Sequence, residues 1–239
     1  MNTTTKNAQK IRRMVVIGMF AAMAYVAMLA IHIKVSFLTL DVKDAVITLC
    51  GLYFGPLSAL IISVIVPLIE FATVSDTGLY GLIMNILGSV AFSVTASLIY
   101  KWKKSFLGAI LALTSAAFVV TGVMMLANLV VTPYFMGVDV ATVRGMIPKL
   151  LLPFNLLKAI VNVGVVLLLY KHLSTALRKA GLLPRRTFAQ KQAAGAQANA
   201  AKKPSRWRIV GVSIAAVLLI TGSLLIIFLV LGGNVGFGK

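Results

Sequence analysis

Lys158 is the residue whose type and position most demand a chemical explanation. It interrupts an otherwise uncharged run over 150–170. An ionisable side chain in such a run is a functional candidate, because burying it in hydrocarbon is costly. Asn155 lies three residues earlier, on the same helical face. Asn128 sits inside the longest apolar stretch, 105–138, and Asn85 and Asn162 are further amides in apolar runs. An amide both donates and accepts, whereas lysine only donates. For a single asparagine the competing reading is hydrogen bonding between helices. For Lys158 it is snorkelling to the interface.

Reaction chemistry finds no support. The chain has no G-x-x-x-x-G-K-[ST] loop to cradle nucleotide phosphates, no G-x-S-x-G and no H-E-x-x-H. A single cysteine, Cys50, excludes an internal disulfide and a multi-cysteine metal site. His32 and His172 are far apart in sequence, which disfavours a histidine metal cluster. The reading is a protein that is not an enzyme and carries no cofactor. If it moves a substance uphill, the energy must come from another subunit.

The elements that position these residues are membrane helices. Of 239 residues, 60% are apolar and 12% charged, and the mean hydropathy is +1.00. Soluble domains carry roughly 25% charge, and disorder needs low hydrophobicity. An all-α, polytopic membrane protein remains. The formal net charge is +18. In a soluble chain that would suggest nucleic acid. Here it fits basic loops that set topology through the positive-inside rule, with no nucleic-acid partner.

The chain divides as follows. A basic N-terminal segment, 1–13, precedes an apolar run over 14–33, with a polar loop over 34–44 after it. The run 45–69 carries Gly55-Pro56 in its middle, where proline disfavours a continuing helix. Two elements turning at Gly55-Pro56 put Lys101, Lys103 and Lys104 on the same side as the N-terminal basic residues, as the rule prefers. The first of the two is too short to cross alone, so the preceding loop is expected to dip inward. Spans over 77–100, 105–138 and 150–170 follow, the second ending near Thr132-Pro133, with Asp139, Arg144 and Lys149 in an external loop. Residues 14–175 thus form a six-helix domain. A basic, low-complexity linker covers 176–208, an additional span 209–232, and a short tail 233–239. This topology places the N-terminus in the cytoplasm and the C-terminus outside. Asn155 and Lys158 then begin the sixth helix and Asn128 nears the end of the fifth, so a small-molecule site opens outward. Two sets of small residues remain. Gly18, Ala21, Ala22, Ala24 and Ala27 line the first helix, and Ser89, Ser93 and Ser97 repeat every four residues on the fourth. Each set suits either close internal packing or docking of a partner membrane subunit.

The segment FLTLDVKDAVITLCGLYFGPLSALIISVIVPLIE resembles the start of the substrate-binding S components of energy-coupling-factor (ECF) vitamin transporters. The pairing of NLVVTPYFMG with IPKLLLPFNLLKAIVNVGVVLLLYKHL looks like the riboflavin-specific branch. The resemblance covers roughly residues 10–175. It implies a six-helix bundle with an external pocket for riboflavin, coupled to a transmembrane subunit and two ATPase subunits. It also implies that Asn128, Asn155 and Lys158 hold the flavin, that Leu40, Asp41 and nearby loop residues lie in the segment covering it, and that the alanine-rich first helix is the docking face. Here Gly18-x-x-x-Ala22 replaces the family's strict alanine spacing, and the seventh span departs from the usual six. The chemistry agrees: the flavin pyrimidine edge alternates carbonyl acceptors with an N–H donor, and amides offer both. The other readings are an S component for folate, thiamin or a biotin-like vitamin, and a membrane scaffold without a ligand.

Overall fold

The computed structural model describes residues 3–102, 104–182 and 236–237. Its helices are α1 (Thr3–Ala30), α2 (Lys43–Phe54), α3 (Pro56–Thr73), α4 (Gly78–Trp102), α5 (Phe106–Met136), α6 (Val140–Met146) and α7 (Leu152–Lys179). Among the described residues, five stretches are long and apolar enough to cross a membrane, the last running through α6 and α7. The expected linker beyond residue 182 and the additional span over 209–232 lie outside the described residues.

Between α1 and α2 the chain forms a short antiparallel hairpin, β1 (Ile33–Val35) and β2 (Leu38–Leu40), with Ile33 opposite Leu40. Ser36, at its tip, has a left-handed φ of 57°. A two-residue strand, β3 (Gly236–Phe237), pairs with the other edge of β1. This hairpin occupies the segment expected to dip inward. Val35 and Leu40 are buried against Phe154 of α7.

The turn at Gly55-Pro56 is present. Gly55 adopts φ 97°, which suits a residue without Cβ, and Pro56 opens α3 at the first helical position. α2 is buried from Lys43 to Leu52 and sits at the centre of the bundle. Because protein surrounds it, it needs no full crossing length. Ser93 and Ser97 of α4 face it: Ser93 bonds Thr48, and a Cβ added at Gly51 would lie 2.0 Å from Ser97 Oγ. Ser93 and Ser97 therefore serve internal packing.

One boundary differs from expectation. α5 does not end at Thr132-Pro133 but continues to Met136, where Gly137 closes it in the left-handed conformation and its N–H returns to Pro133 O. Proline inside a membrane helix is tolerated where neighbouring groups re-satisfy the backbone, and it is the glycine that stops the chain. The segment with Asp139, Arg144 and Lys149 is likewise helical, passing through α6 and a π-helical turn (Ile147–Leu151) directly into α7.

The polar termini of the bundle differ in charge. At the Gly55 end, Arg13 donates to Phe54 O and Ser58 Oγ, and Arg12 donates to Ala180 O. Lys101, Lys171 and Arg178 lie toward the same end. All five acids lie toward the hairpin end.

Candidate functional site

α2 begins beneath the hairpin, away from water, so its first N–H groups need partners from elsewhere. Asp41 Oδ1 accepts from the Lys43 N–H at 3.1 Å, and Asn162 Oδ1 of α7 accepts from the Ala45 N–H at 2.8 Å. The Asn162 amide also donates to Asp41 O and Lys158 O, at 3.1 and 2.9 Å. Asn162 thus locks α7 against the start of α2.

Charge gathers at the same junction. Asp41 Oδ2 is approached by two ammonium groups, Lys158 at 2.8 Å and Lys43 at 3.1 Å. Lys43 also reaches Glu70 Oε2 at 3.0 Å and Asn85 Oδ1 at 3.2 Å. The Asn85 amide donates to Glu70 Oε1 at 3.1 Å. Lys43 has no exposed surface, Asp41 keeps 1% and Glu70 5%. Charges this deep persist only when paired and hydrogen-bonded. The network supplies that pairing from four elements: the β2–α2 junction, α3, α4 and α7.

Above the network lies a cavity of about 340 Å³, bounded by the hairpin, the ends of α3 and α4, α5 and α7. This is within the size range of small-molecule sites. Asn128, Asn155 and Lys158 all line it, brought together from α5 and α7. Asn128 donates to Met124 O at 2.7 Å and accepts from the Thr132 hydroxyl at 2.8 Å. Asn155 donates to Leu151 O at 2.8 Å. Each amide carries two N–H groups and two lone pairs, so both keep capacity for a further partner. Lys158 spends two donors on Asp41 and on Thr39 O, the latter at 3.1 Å, and keeps the third. Phe37 and Tyr80 each pack against Phe135 on the wall, with ring centres 6.1 and 6.0 Å from it.

Within the segment expected to cover a ligand, it is the nearby loop residues and not Leu40 or Asp41 that face the cavity. Leu40 is fully buried against Val35 and Phe154, and Asp41 lies below the wall in its ion pairs. The cavity surface comes instead from Ser36, Phe37, Leu38 and Thr39. Asp44, Glu70, Asn85 and Ser89 also line it. Asn85 was visible as an amide in an apolar run, but nothing in its spacing joins it to Lys43. At the mouth, Lys34 pairs with Asp76. That hydrogen bond, with the lysine charge, holds the Asp76 carboxyl below the usual carboxylate range.

The first helix corrects a second expectation. Ala21 and Ala24 do not face outward: they are buried in the bundle core with Val16 and Phe20. Ala27 is half-buried. Gly18 and Ala22 are exposed, beside Met19, Met23 and Val26. Helical periodicity splits the small residues between an inner and an outer face.

Among known proteins, the sequence model of the family described as "ECF transporter, substrate-specific component" matches residues 12–170. The riboflavin transporter RibU of Staphylococcus aureus (strain TCH60) is 31% identical over 183 residues, covering 72% of this chain and 96% of that protein. A solved structure described as the S component of a bacterial ECF transporter superposes with a TM-score of 0.61 at 31% identity. That match covers 70% of this chain and 98% of the solved one.

Proposed function

We propose that this chain, which belongs to the family of ECF transporter substrate-specific components, binds riboflavin from outside the cell and delivers it inward with energy from a transmembrane coupling subunit and two ATPase subunits. The observation that carries this reading is the convergence of Asn128, Asn155 and Lys158 on one aromatic-walled cavity, each with unspent hydrogen-bonding capacity. A flavin presents a planar apolar body for the walls and a pyrimidine edge of alternating carbonyl and N–H groups for the amides. A site built to pair such groups rejects molecules lacking them, because its own polar groups are then left unsatisfied. The 31% identity to a riboflavin transporter supports the same ligand. The exterior opening rests on the concentration of basic residues at the opposite end of the bundle.

The test is the visible spectrum of protein purified in mild detergent without added ligand, followed by titration with riboflavin while its fluorescence is monitored. Co-purifying flavin, or stoichiometric quenching, is the expected result. A folded protein that carries no flavin and quenches none would overturn riboflavin as the ligand.

A further inference from the structure

Lys43 and Asp41 do not reach the cavity, yet they hold two of its wall side chains. Lys43 donates to Asp41 Oδ2 and Asn85 Oδ1 and forms an ion pair with Glu70 Oε2. By occupying Oδ1 it fixes which way round the Asn85 amide sits. One N–H of Asn85 goes to Glu70, and an amide nitrogen carries two. On the other wall, Asp41 and Thr39 O take two donors of Lys158 and leave one.

We propose that Asn85 is a further ligand-contacting residue, and that the buried Lys43–Asp41 pair positions both Asn85 and Lys158 so that opposite walls of the cavity each offer an N–H donor to acceptor groups on the ligand. This rests on the riboflavin reading for the ligand's identity but not for the positioning. A flavin supplies such acceptors in its two ring carbonyls, its ring nitrogens and its ribityl hydroxyls. Lys43 itself is a positioning residue, since it has no exposed surface. Without it, the Asn85 carbonyl loses its ionic donor and the amide is held only through its bond to Glu70. Asp41 then faces Lys158 alone.

Two measurements on the full chain in detergent decide this. The first uses no ligand. The side-chain amide signals of Asn85, assigned by their loss in Asn85→Leu, are compared between Glu70→Gln and Lys43→Met/Glu70→Gln, so that the change at Asn85's own acceptor is common to both. The double variant removes one cation with one of its carboxylates, so the buried charge stays balanced if Lys43→Met alone fails to fold. The expected result is a clear shift of both amide protons, and unchanged signals would overturn the positioning role. The second is a mutant cycle read by riboflavin affinity. Lys43→Met/Glu70→Gln is expected to cost about tenfold or more in an otherwise wild-type chain, but less than about threefold when Asn85→Leu and Lys158→Met are already present, because coupled residues are not additive. Equal losses in both backgrounds would overturn the proposal, as would Asn85→Leu binding riboflavin as tightly as wild type. The ligand-free measurement stands whatever vitamin the protein takes, so failure of the riboflavin reading is distinguishable from failure of this one.

Discussion

Asp41 and Lys158 are 117 residues apart in the chain and 2.8 Å apart in space. Their contact ties the hairpin end of the first half of the bundle to the seventh helix, directly under the cavity. Asp41 has two cations, whereas Glu70 has one, Lys43. That difference ranks the lysines.

Removing Lys43 leaves Glu70 buried without a cation, the situation that costs roughly 3–5 kcal/mol. Removing Lys158 leaves Asp41 still paired with Lys43. Lys43→Ala is therefore expected to lower the ligand-free melting temperature in detergent well below that of Lys158→Ala. The order should reverse for specific binding contacts. Lys158→Ala should weaken riboflavin binding by about 1–3 kcal/mol, the range for leaving a buried polar group unpaired. Equal melting temperatures for the two variants would refute the ranking. An unchanged dissociation constant for Lys158→Ala would remove it from the ligand contacts.

Much of this arrangement is legible in the sequence because it is local. The i, i+3 pair Asn155 and Lys158 lies on one helical face whatever surrounds it, and Gly55-Pro56 marks a turn by backbone sterics alone. Lys43 was not legible. In sequence it is one more polar residue in a loop, and its burial depends on Glu70, Asn85 and Asp41 arriving from other elements. Pro133 misled for the converse reason: its local effect is to disfavour helix, and the context that carries α5 past it is tertiary. On α1, composition marked the small residues, but only packing separated Ala21 and Ala24 from Gly18 and Ala22.

Gly51 offers a test of the crossing between α2 and α4. A Cβ there would meet Ser97 Oγ at 2.0 Å and Ala59 Cβ at 2.8 Å, whereas at Gly122 nothing lies within 4 Å. Gly51→Ala is expected to destabilise by about 1–3 kcal/mol, the usual range for overpacking. Gly122→Ala should be neutral or stabilising by up to about 1 kcal/mol, since alanine is the better helix former. Thermal unfolding of the two variants side by side is the measurement. Equal stability would show that α2 and α4 separate easily at this point.

The mouth pair predicts a pH dependence. Asp76 is exposed and its carboxyl is held below the usual range by its hydrogen bond to Lys34 and by the lysine charge. A depressed folded pKa means the contribution is complete above the unfolded value of about 3.9 and is lost as pH falls through the lower folded value. A spin label at Ser36, at the hairpin tip, should therefore keep the same mobility from neutral pH down to about 4 and loosen only below it. Lys34→Gln should show the loosened spectrum at every pH. Mobility that rises already between pH 7 and 5 would assign control of the hairpin to some other group.

The two faces of α1 make the last prediction. Ala21 is buried in the core and Ala22 is exposed, one residue and about 100° of helix apart. A leucine at Ala21 must displace packed neighbours, so Ala21→Leu should unfold at lower temperature, by overpacking of about 1–3 kcal/mol. A leucine at Ala22 enters open space on the isolated chain, so folding and riboflavin affinity should both match wild type. If α1 presents its outer face to the coupling subunit, the small residues there permit close helix approach, and the added bulk is felt only in the assembly. Ala22→Leu should then lower riboflavin uptake in cells that carry the energising subunits, and less of the variant should co-purify with them. Undiminished uptake would show that Gly18 and Ala22 do not sit in that interface. Loss of riboflavin binding by the isolated variant would show instead that this face of α1 supports the cavity.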